Sequence, residues 1–109
     1  MTVSELSVKN GFSAITLPDP NREIKGVNIG DLLSWVMGKA REDDAWITIM
    51  SNVNVLAVAS LSGTACVIFA EGVTVTDDVK KTAEQKGINL IGTEMSAYRV
   101  SEFFVRHGI

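Results

Sequence analysis

The stretch "ACVIFAEGVTVTDDVKKTAEQKGINLIG", residues 65–92, decides the fold because two apolar runs flank a helical segment. Thr76 is suited to cap a helix over Asp77–Lys86. The flanking runs, Ala65–Ala70 and Ile88–Gly92, are almost continuously apolar, which is typical of strands buried on both faces of a parallel sheet. The stretch therefore predicts a β-α-β unit with a right-handed crossover.

The same alternation extends in both directions along the chain. "AWITIM", Ala45–Met50, reads as another buried strand, and a helix capped by Asn52 follows it. A last helix, capped by Ser96 or Thr93, runs to about His107 with one apolar face. We therefore predict an α/β fold with a three-strand β-α-β-α-β-α core from about residue 45.

The N-terminal part adds two strands to this mostly parallel sheet flanked by helices. Thr2 and Glu5 have capping-box spacing, which predicts a short first helix. Strands are predicted at Phe12–Leu17 and Glu23–Gly30, and a helix at Asp31–Ala40. The sequence leaves the position of these two strands in the sheet open.

The length and composition of the chain suit a single domain, residues 1–109. The presence of only one cysteine suits a reducing compartment. The net charge of −3, with scattered lysines and arginines, argues against a nucleic-acid partner. No apolar run approaches the ~20 residues of a membrane span, and no signal peptide is recognisable. Cys66 is the single cysteine and cannot form an internal disulfide, so we expect a cytoplasmic protein.

The turn after the strand at residues 65–70 resembles a phosphate cradle but lacks its chemistry. Gly72 is its single glycine, and Glu71 precedes it. Asp77 and Asp78 already occupy the first helical turn, where they complement the helix dipole and would repel a phosphate. A plain strand-to-helix turn is the better interpretation.

No catalytic or metal-binding constellation stands out, so we expect a protein that is not an enzyme and has no cofactor. Cys66 lies among apolar neighbours as a core thiol, and His107 suits a helix end. Glu71 and Glu94 share a sheet edge, but two carboxylates alone do not define a metal site. Trp35, together with Met37, would form part of a dimer patch if both side chains face outward.

Ligands of parallel sheets bind beyond the carboxyl ends of the strands. Three loops are predicted at that edge, at residues 51–54, 71–74 and 93–96. The candidate ligand-binding residues in these loops are small and polar: Asn52, Asn54, Gly72, Thr93 and Ser96.

The order of elements and several segments resemble the DRTGG domain family, from about Val8 to the C-terminus. "VNIGDLLSWVM" matches an early glycine and helix, and "INLIGTEMSAYRV" matches the closing strand and helix. "WITIMSNVN" occupies the place of the Asp-Arg loop, where this chain has Asn52 and Val53. "CVIFAEGV" occupies the place of the Thr-Gly-Gly strand end, where only Gly72 is kept.

The resemblance implies a regulatory role. DRTGG domains accompany CBS domains in regulated pyrophosphatases, occur in longer phosphotransacetylases, and are similar in fold to the N-terminal domain of HPr kinase. Short stand-alone members resemble proteins encoded near iron hydrogenase and redox genes in anaerobic bacteria. A kinase-like activity carries little weight, because the ATP site of HPr kinase lies in a separate domain.

From the residues and this resemblance together, we expect a non-catalytic regulatory or scaffold module. It would act as a homodimer and dock on a larger metabolic or redox enzyme. The alternative is a sensor of a small ligand, a nucleotide or metabolite, bound at the carboxyl edge of the strands. If typical members hold an anionic ligand with the Arg of the Asp-Arg pair and the glycine turn, this chain has lost the means to do so.

Overall fold

The computed structural model describes residues 1–109 and has a five-stranded sheet between two layers of helices. The strands are β1 (Ser13–Thr16), β2 (Gly26–Ile29), β3 (Asp44–Thr48), β4 (Cys66–Phe69) and β5 (Leu90–Gly92). The helices are α1 (Val3–Ser7), α2 (Leu33–Lys39), α3 (Asn54–Ser62), α4 (Asp77–Lys86) and α5 (Ala97–Arg106). No helix combines the length and apolar character that a bilayer crossing demands.

The strand order is β1-β5-β4-β3-β2, and it confirms the predicted α/β class. The strands from β2 to β5 run parallel, and β1 pairs antiparallel with β5. All residues of β3 and β4 are buried, as their apolar runs predict. The two N-terminal strands, whose positions the sequence leaves open, form the two opposite edges of the sheet.

Side-chain alternation along the central strands divides the core into two halves. Trp46 and Phe69 point to the face that is covered by α2, α3 and α4. Ile47 and Ile68 point to the other face, which α1 and α5 cover. The indole Nε1 of Trp46 donates a hydrogen bond to the Gly30 carbonyl at 2.8 Å. The N–H group of the largest core side chain is therefore paired although it is buried.

Capping residues fix several helix ends where the sequence predicts them. Thr2 and Glu5 form the predicted capping box of α1. Thr76 accepts the N–H of Val79 at the start of α4. Ser96, rather than Thr93, caps α5 by accepting the N–H of Arg99 at 3.3 Å.

Three boundaries differ from the prediction because nearby groups compete for the backbone. β2 does not begin at residue 23, since residues 22–24 pair with the N-terminal segment; Ile24 donates to the Met1 carbonyl at 2.9 Å. The helix predicted from Asp31 begins two residues later. The Asp31 Oδ1 atom instead accepts from the hydroxyl of Thr48 and the N–H of Ile49.

The third difference concerns the start of α3. Val53, not Asn52, occupies the N-cap position, and its own side chain makes no capping hydrogen bond. The Asn52 Oδ1 atom accepts the N–H of Asn54 at 3.0 Å, so Asn52 closes a turn that precedes the helix.

Candidate functional site

A cleft opens where β4 and β5 end and β1 begins, with a volume of about 490 Å³. Three glycines contribute to its walls, and they leave room because they carry no side chain. Gly72 and Thr93 are the two predicted ligand-binding residues that line it. Lining residues that the sequence did not single out include Gly11, Ser13, Lys80 and Gly92.

The turn between β4 and α4 forms one wall of the cleft. Glu71 and Gly72 both adopt left-handed backbone angles, with φ of 61° and 66°. Their N–H groups donate to the carbonyls of Met95 and Thr93 at 2.9 Å, which ties this turn to the loop after β5. A Cβ atom at Gly72 would overlap the Glu94 carboxylate, so both conformation and space require glycine there.

Thr93 is buried at the base of the cleft, and its hydroxyl is engaged by the protein. It donates to the Gly11 carbonyl at 2.7 Å and accepts the N–H of Met95 at 3.1 Å. These bonds hold the segment before β1 against the loop after β5. The hydroxyl therefore shapes the cleft through the backbone that it positions.

The other predicted ligand-binding residues lie outside the cleft lining. Asn52 and Asn54 are exposed in the loop between β3 and α3, and Ser96 is engaged as the cap of α5. The structure thus brings together two of the five candidates. The antiparallel addition of β1 beside β5 shifts the open space toward that side of the sheet.

One cation and one anion line the cleft. Lys80 reaches it from the first turn of α4, with the Asp77 carboxylate 3.8 Å from its Nζ atom. Glu94 approaches from the loop after β5. Both side chains are exposed, so a ligand would meet them with water still present.

A second surface, which we name the β2 patch, comprises Ile29, Leu32 and Trp35. Their exposures are 55%, 61% and 67%, which is unusual for large apolar side chains that stand together. They line a shallow cavity of about 460 Å³ beside the outer edge of β2. Met37 is also exposed on α2, so Trp35 and Met37 face outward as a dimer patch requires.

The remaining reactive side chains show structural contacts. Burial raises the pKa of the Cys66 thiol to about 12, which suppresses its nucleophilicity. The His107 ring stacks on Phe103 with centroids 4.1 Å apart, and its Nδ1 atom lies 2.7 Å from the Phe103 carbonyl oxygen. No three His, Cys, Asp or Glu side chains cluster as a metal site.

Comparison with known proteins gives a likeness to a solved regulatory region. No protein-family model and no curated protein matches the chain. The structure is similar to the CBS and DRTGG domains of the regulatory region of Clostridium perfringens pyrophosphatase, solved with its activator diadenosine tetraphosphate, with a TM-score of 0.65 and 15% identity. The match covers 84% of this chain and 40% of that one, so the chain spans about two fifths of the neighbour's length. The likeness supports the resemblance to DRTGG domains at the level of an α/β fold shared with that regulatory region.

Proposed function

We propose that this chain is a non-catalytic regulatory or scaffold module that acts as a homodimer. The β2 patch carries the proposal, because Ile29, Leu32 and Trp35 expose apolar surface beside an unpaired edge of the sheet. Removing such surface from water contributes roughly 25 cal/mol per Å² to association, which must exceed the entropy that two chains lose on binding. The likeness to a regulatory region, rather than to a catalytic domain, supports the same class of function.

In this proposal the dimer docks on a larger metabolic or redox enzyme in a bacterial cytoplasm. This part rests on the resemblance to stand-alone DRTGG proteins encoded beside hydrogenase and redox genes. Co-expression with an iron hydrogenase, followed by light scattering of the purified mixture, tests it. A mixture in which every component keeps its separate mass would refute docking.

Size-exclusion chromatography with light scattering at tens of micromolar tests the homodimer. We expect a mass twice that of the 11.7 kDa chain. Trp35→Glu should shift the mass to that of the single chain while leaving the circular dichroism unchanged, because Trp35 is largely exposed. An unmodified chain that elutes as a monomer would contradict the proposal.

A second candidate function is a sensor of a small ligand, a nucleotide or metabolite, at the carboxyl edge of the strands. The cleft favours it, because Gly72 and Thr93 line an open space that presents Lys80 and Glu94. Asn52, Asn54 and Ser96 belong to neighbouring loops at the same edge and would contact only a ligand that extends beyond the cleft. The similar regulatory region was solved with a dinucleotide activator, which supports testing nucleotides first.

A thermal-shift screen over nucleotides and metabolites tests the sensor. A ligand at 100 times its dissociation constant should add about 2.7 kcal/mol to the free energy of unfolding. Lys80→Ala should reduce the shift produced by an anionic ligand, whereas Lys9→Ala, an exposed lysine outside the cleft lining, should not. A complete panel without any shift would count against the sensor and leave the scaffold proposal standing.

A further inference from the structure

β2 is an edge strand whose outer side is covered only at its beginning. β3 pairs with one side of it, from Gly26 to Ile29. The N-terminal segment pairs with residues 22–24 and ends there, with the last bond from Ile24 to Met1. The outer side of residues 26–30 therefore has no strand beside it.

The backbone groups on this open side can be assigned from the bonds on the other side. Gly30 donates its N–H to the Ile47 carbonyl next to it in β3, at 3.2 Å. Because backbone groups alternate in direction along a strand, those of Val27 and Ile29 point away from β3. An additional strand would find two residues that present both a donor and an acceptor.

Two of the features that usually prevent strand addition, an inward-pointing charge and a proline, are missing from β2. Residues 26–29 include no charged side chain and no proline, and β2 pairs with β3 in continuous register. Apolar cavities also flank it on both faces of the sheet. One, of about 460 Å³, lies against Leu32 and Trp35 of the β2 patch; the other, of about 310 Å³, lies against Phe104, Val105 and Ile109.

We propose that a second copy of this chain pairs with β2 in antiparallel orientation, with the two-fold axis at Asn28. This inference rests on the proposed homodimer and assigns its interface. Val27 of one copy then lies opposite Ile29 of the other, so each presents its outward N–H and carbonyl to its counterpart. The two five-stranded sheets become one continuous sheet, and each apolar cavity is continued by its symmetry mate.

The charged side chains beside β2 favour a second copy of this chain as the pairing partner and favour Asn28 as the position of the two-fold axis. Lys25 precedes β2 and Asp31 follows it, and both are exposed. Within one copy, the Lys25 Nζ atom lies 3.5 Å from an Asp43 oxygen, and Asp31 binds Thr48 and Ile49 through Oδ1, so its Oδ2 atom can still accept from a partner. With the axis at Asn28, Lys25 of each copy lies opposite Asp31 of the other.

An axis at Val27 would place Lys25 opposite Ile29 and would oppose the carboxylates of Asp31 and Glu23. An axis at Ile29 would place Lys25 opposite Leu33 and Asp31 opposite Val27. An axis between residues would oppose an outward-facing residue to an inward-facing one. The edge is therefore complementary to itself in one register.

Disulfide trapping tests the register directly. With the axis at Asn28, the two Cα atoms of residue 28 lie about 5 Å apart, within reach of a disulfide. The Cα atoms of residue 29 in the two copies would be about 8 Å apart, beyond that reach. We expect Asn28→Cys to form a covalent dimer on mild oxidation and Ile29→Cys to remain largely uncrosslinked. The native Cys66 is buried and should not contribute.

A matched control uses the opposite edge of the sheet. Ala14→Cys places an exposed thiol on β1, whereas residue 28 is half-buried, and it should crosslink only at the rate of random collision. Ile29→Lys should raise the dissociation constant of the dimer by about 100-fold, because it places a charge in the paired edge. Ala14→Lys should leave that constant unchanged.

The outcomes separate this inference from the function on which it rests. A monomeric wild type would overturn both. A dimer that forms normally while Asn28→Cys fails to crosslink, or while Ile29→Lys has no effect, would overturn the β2 pairing and leave a homodimer through another face. Crosslinking of Ile29→Cys in preference to Asn28→Cys would overturn the register.

Discussion

The two edges of the sheet differ in how far they are protected from additional strands. β1 contains a register irregularity between Ala14 and Thr16, and Pro18 follows it closely. The Thr16 hydroxyl also donates to the Glu84 carboxylate of α4, which ties this edge to the helical layer. β2 has a regular register and is bordered by apolar side chains.

This difference separates two tasks that edge strands perform. A bulge and a nearby proline discourage pairing, which suits an edge that must remain in solvent. A regular edge strand without a charge or proline, with apolar side chains beside it, favours pairing with another strand. The comparison therefore supports the proposed interface at β2, whereas β1 contributes Ser13 and Ile15 to the cleft.

The largest expected effect concerns the anchoring of the segment that follows β1. The side chain of Asn89 is buried; it accepts the N–H of Asp19 and donates to the carbonyls of Asp19 and Ala65 at 2.7–2.9 Å. Asn89→Ala should lower the free energy of unfolding by about 3 kcal/mol, because it leaves several buried polar groups unpaired. Urea denaturation measures this, and Asn21→Ala in the same connection should change it by less than about 0.5 kcal/mol.

A smaller effect is expected in the cleft beside β1. Gly72→Ala should destabilise the fold by about 1–2 kcal/mol, because the position has a positive φ and the new Cβ overlaps the Glu94 carboxylate. Adding Glu94→Ala should recover the steric part of the loss and leave the conformational part. Equal stability of the single and double variants would show that Glu94 does not limit the space at Gly72.

An ion pair anchors the chain on the β2 side of the sheet, whereas the buried amide of Asn89 anchors it on the β1 side. The Arg22 guanidinium donates to Asp43 at 3.0 Å and, together with Lys25, holds the pKa of that carboxyl below its ordinary value of 3.8. Asp43→Asn should cost about 1 kcal/mol at neutral pH, and asparagine retains the left-handed backbone at this position. The pKa of the Asp43 carboxyl is lower in the folded than in the unfolded protein. The ion pair therefore stabilises the fold fully above pH 3.8, and this stabilisation disappears as the pH falls through the pKa of the folded state.

Unfolding curves of wild type and Asp43→Asn at several pH values measure this dependence. Their difference in stability should be constant near neutrality and shrink in acid. A difference that stayed the same down to pH 2 would assign the loss to the backbone and not to the charge.

The smallest effect is expected on the unfolding free energy of the single subunit when a lysine is introduced on either edge strand. Ile29→Lys and Ala14→Lys replace exposed side chains, so each should change the unfolding free energy by less than about 0.5 kcal/mol at concentrations where the chain is monomeric. Dilution series in urea measure this. A large loss for Ile29→Lys alone would mean that Ile29 supports the subunit and does not report on association.

The parallel core could be predicted from sequence because its signals are local and agree with one another. The buried runs at Ala65–Ala70 and Ala45–Met50, and the cap at Thr76, each identify an element without reference to distant residues. The position of β1 could not be predicted, because it depends on pairing with β5 across most of the chain. Five of the twelve residues that line the cleft come from the β1 region or from Lys80. The sequence therefore identified this edge of the sheet, but Gly72 and Thr93 were its only candidate ligand-binding residues that line the cleft.

The likeness to a DRTGG-containing regulatory region confirms the resemblance only in fold. The sequence segments that carry the resemblance are short. Most of the Asp-Arg and Thr-Gly-Gly residues that give the family its name are replaced in this chain, including at Asn52 and Val53. Short motifs specify backbone turns, and other residues can form the same turns, so this chain can share the fold without the motif residues.

The pairing of β1 with β5 also has a consequence for how the protein folds. Ser13 and Gly92 are neighbours in the sheet but lie 79 residues apart in the chain. During synthesis, β2, β3 and β4 can assemble as they emerge, whereas β1 must wait until β5 has left the ribosome. We expect the N-terminal strand to be the last to gain protection from hydrogen exchange in a pulse-labelling experiment, because closing so long a loop is slow. A nascent chain arrested before β5 would then carry its first strand unpaired and vulnerable to proteases.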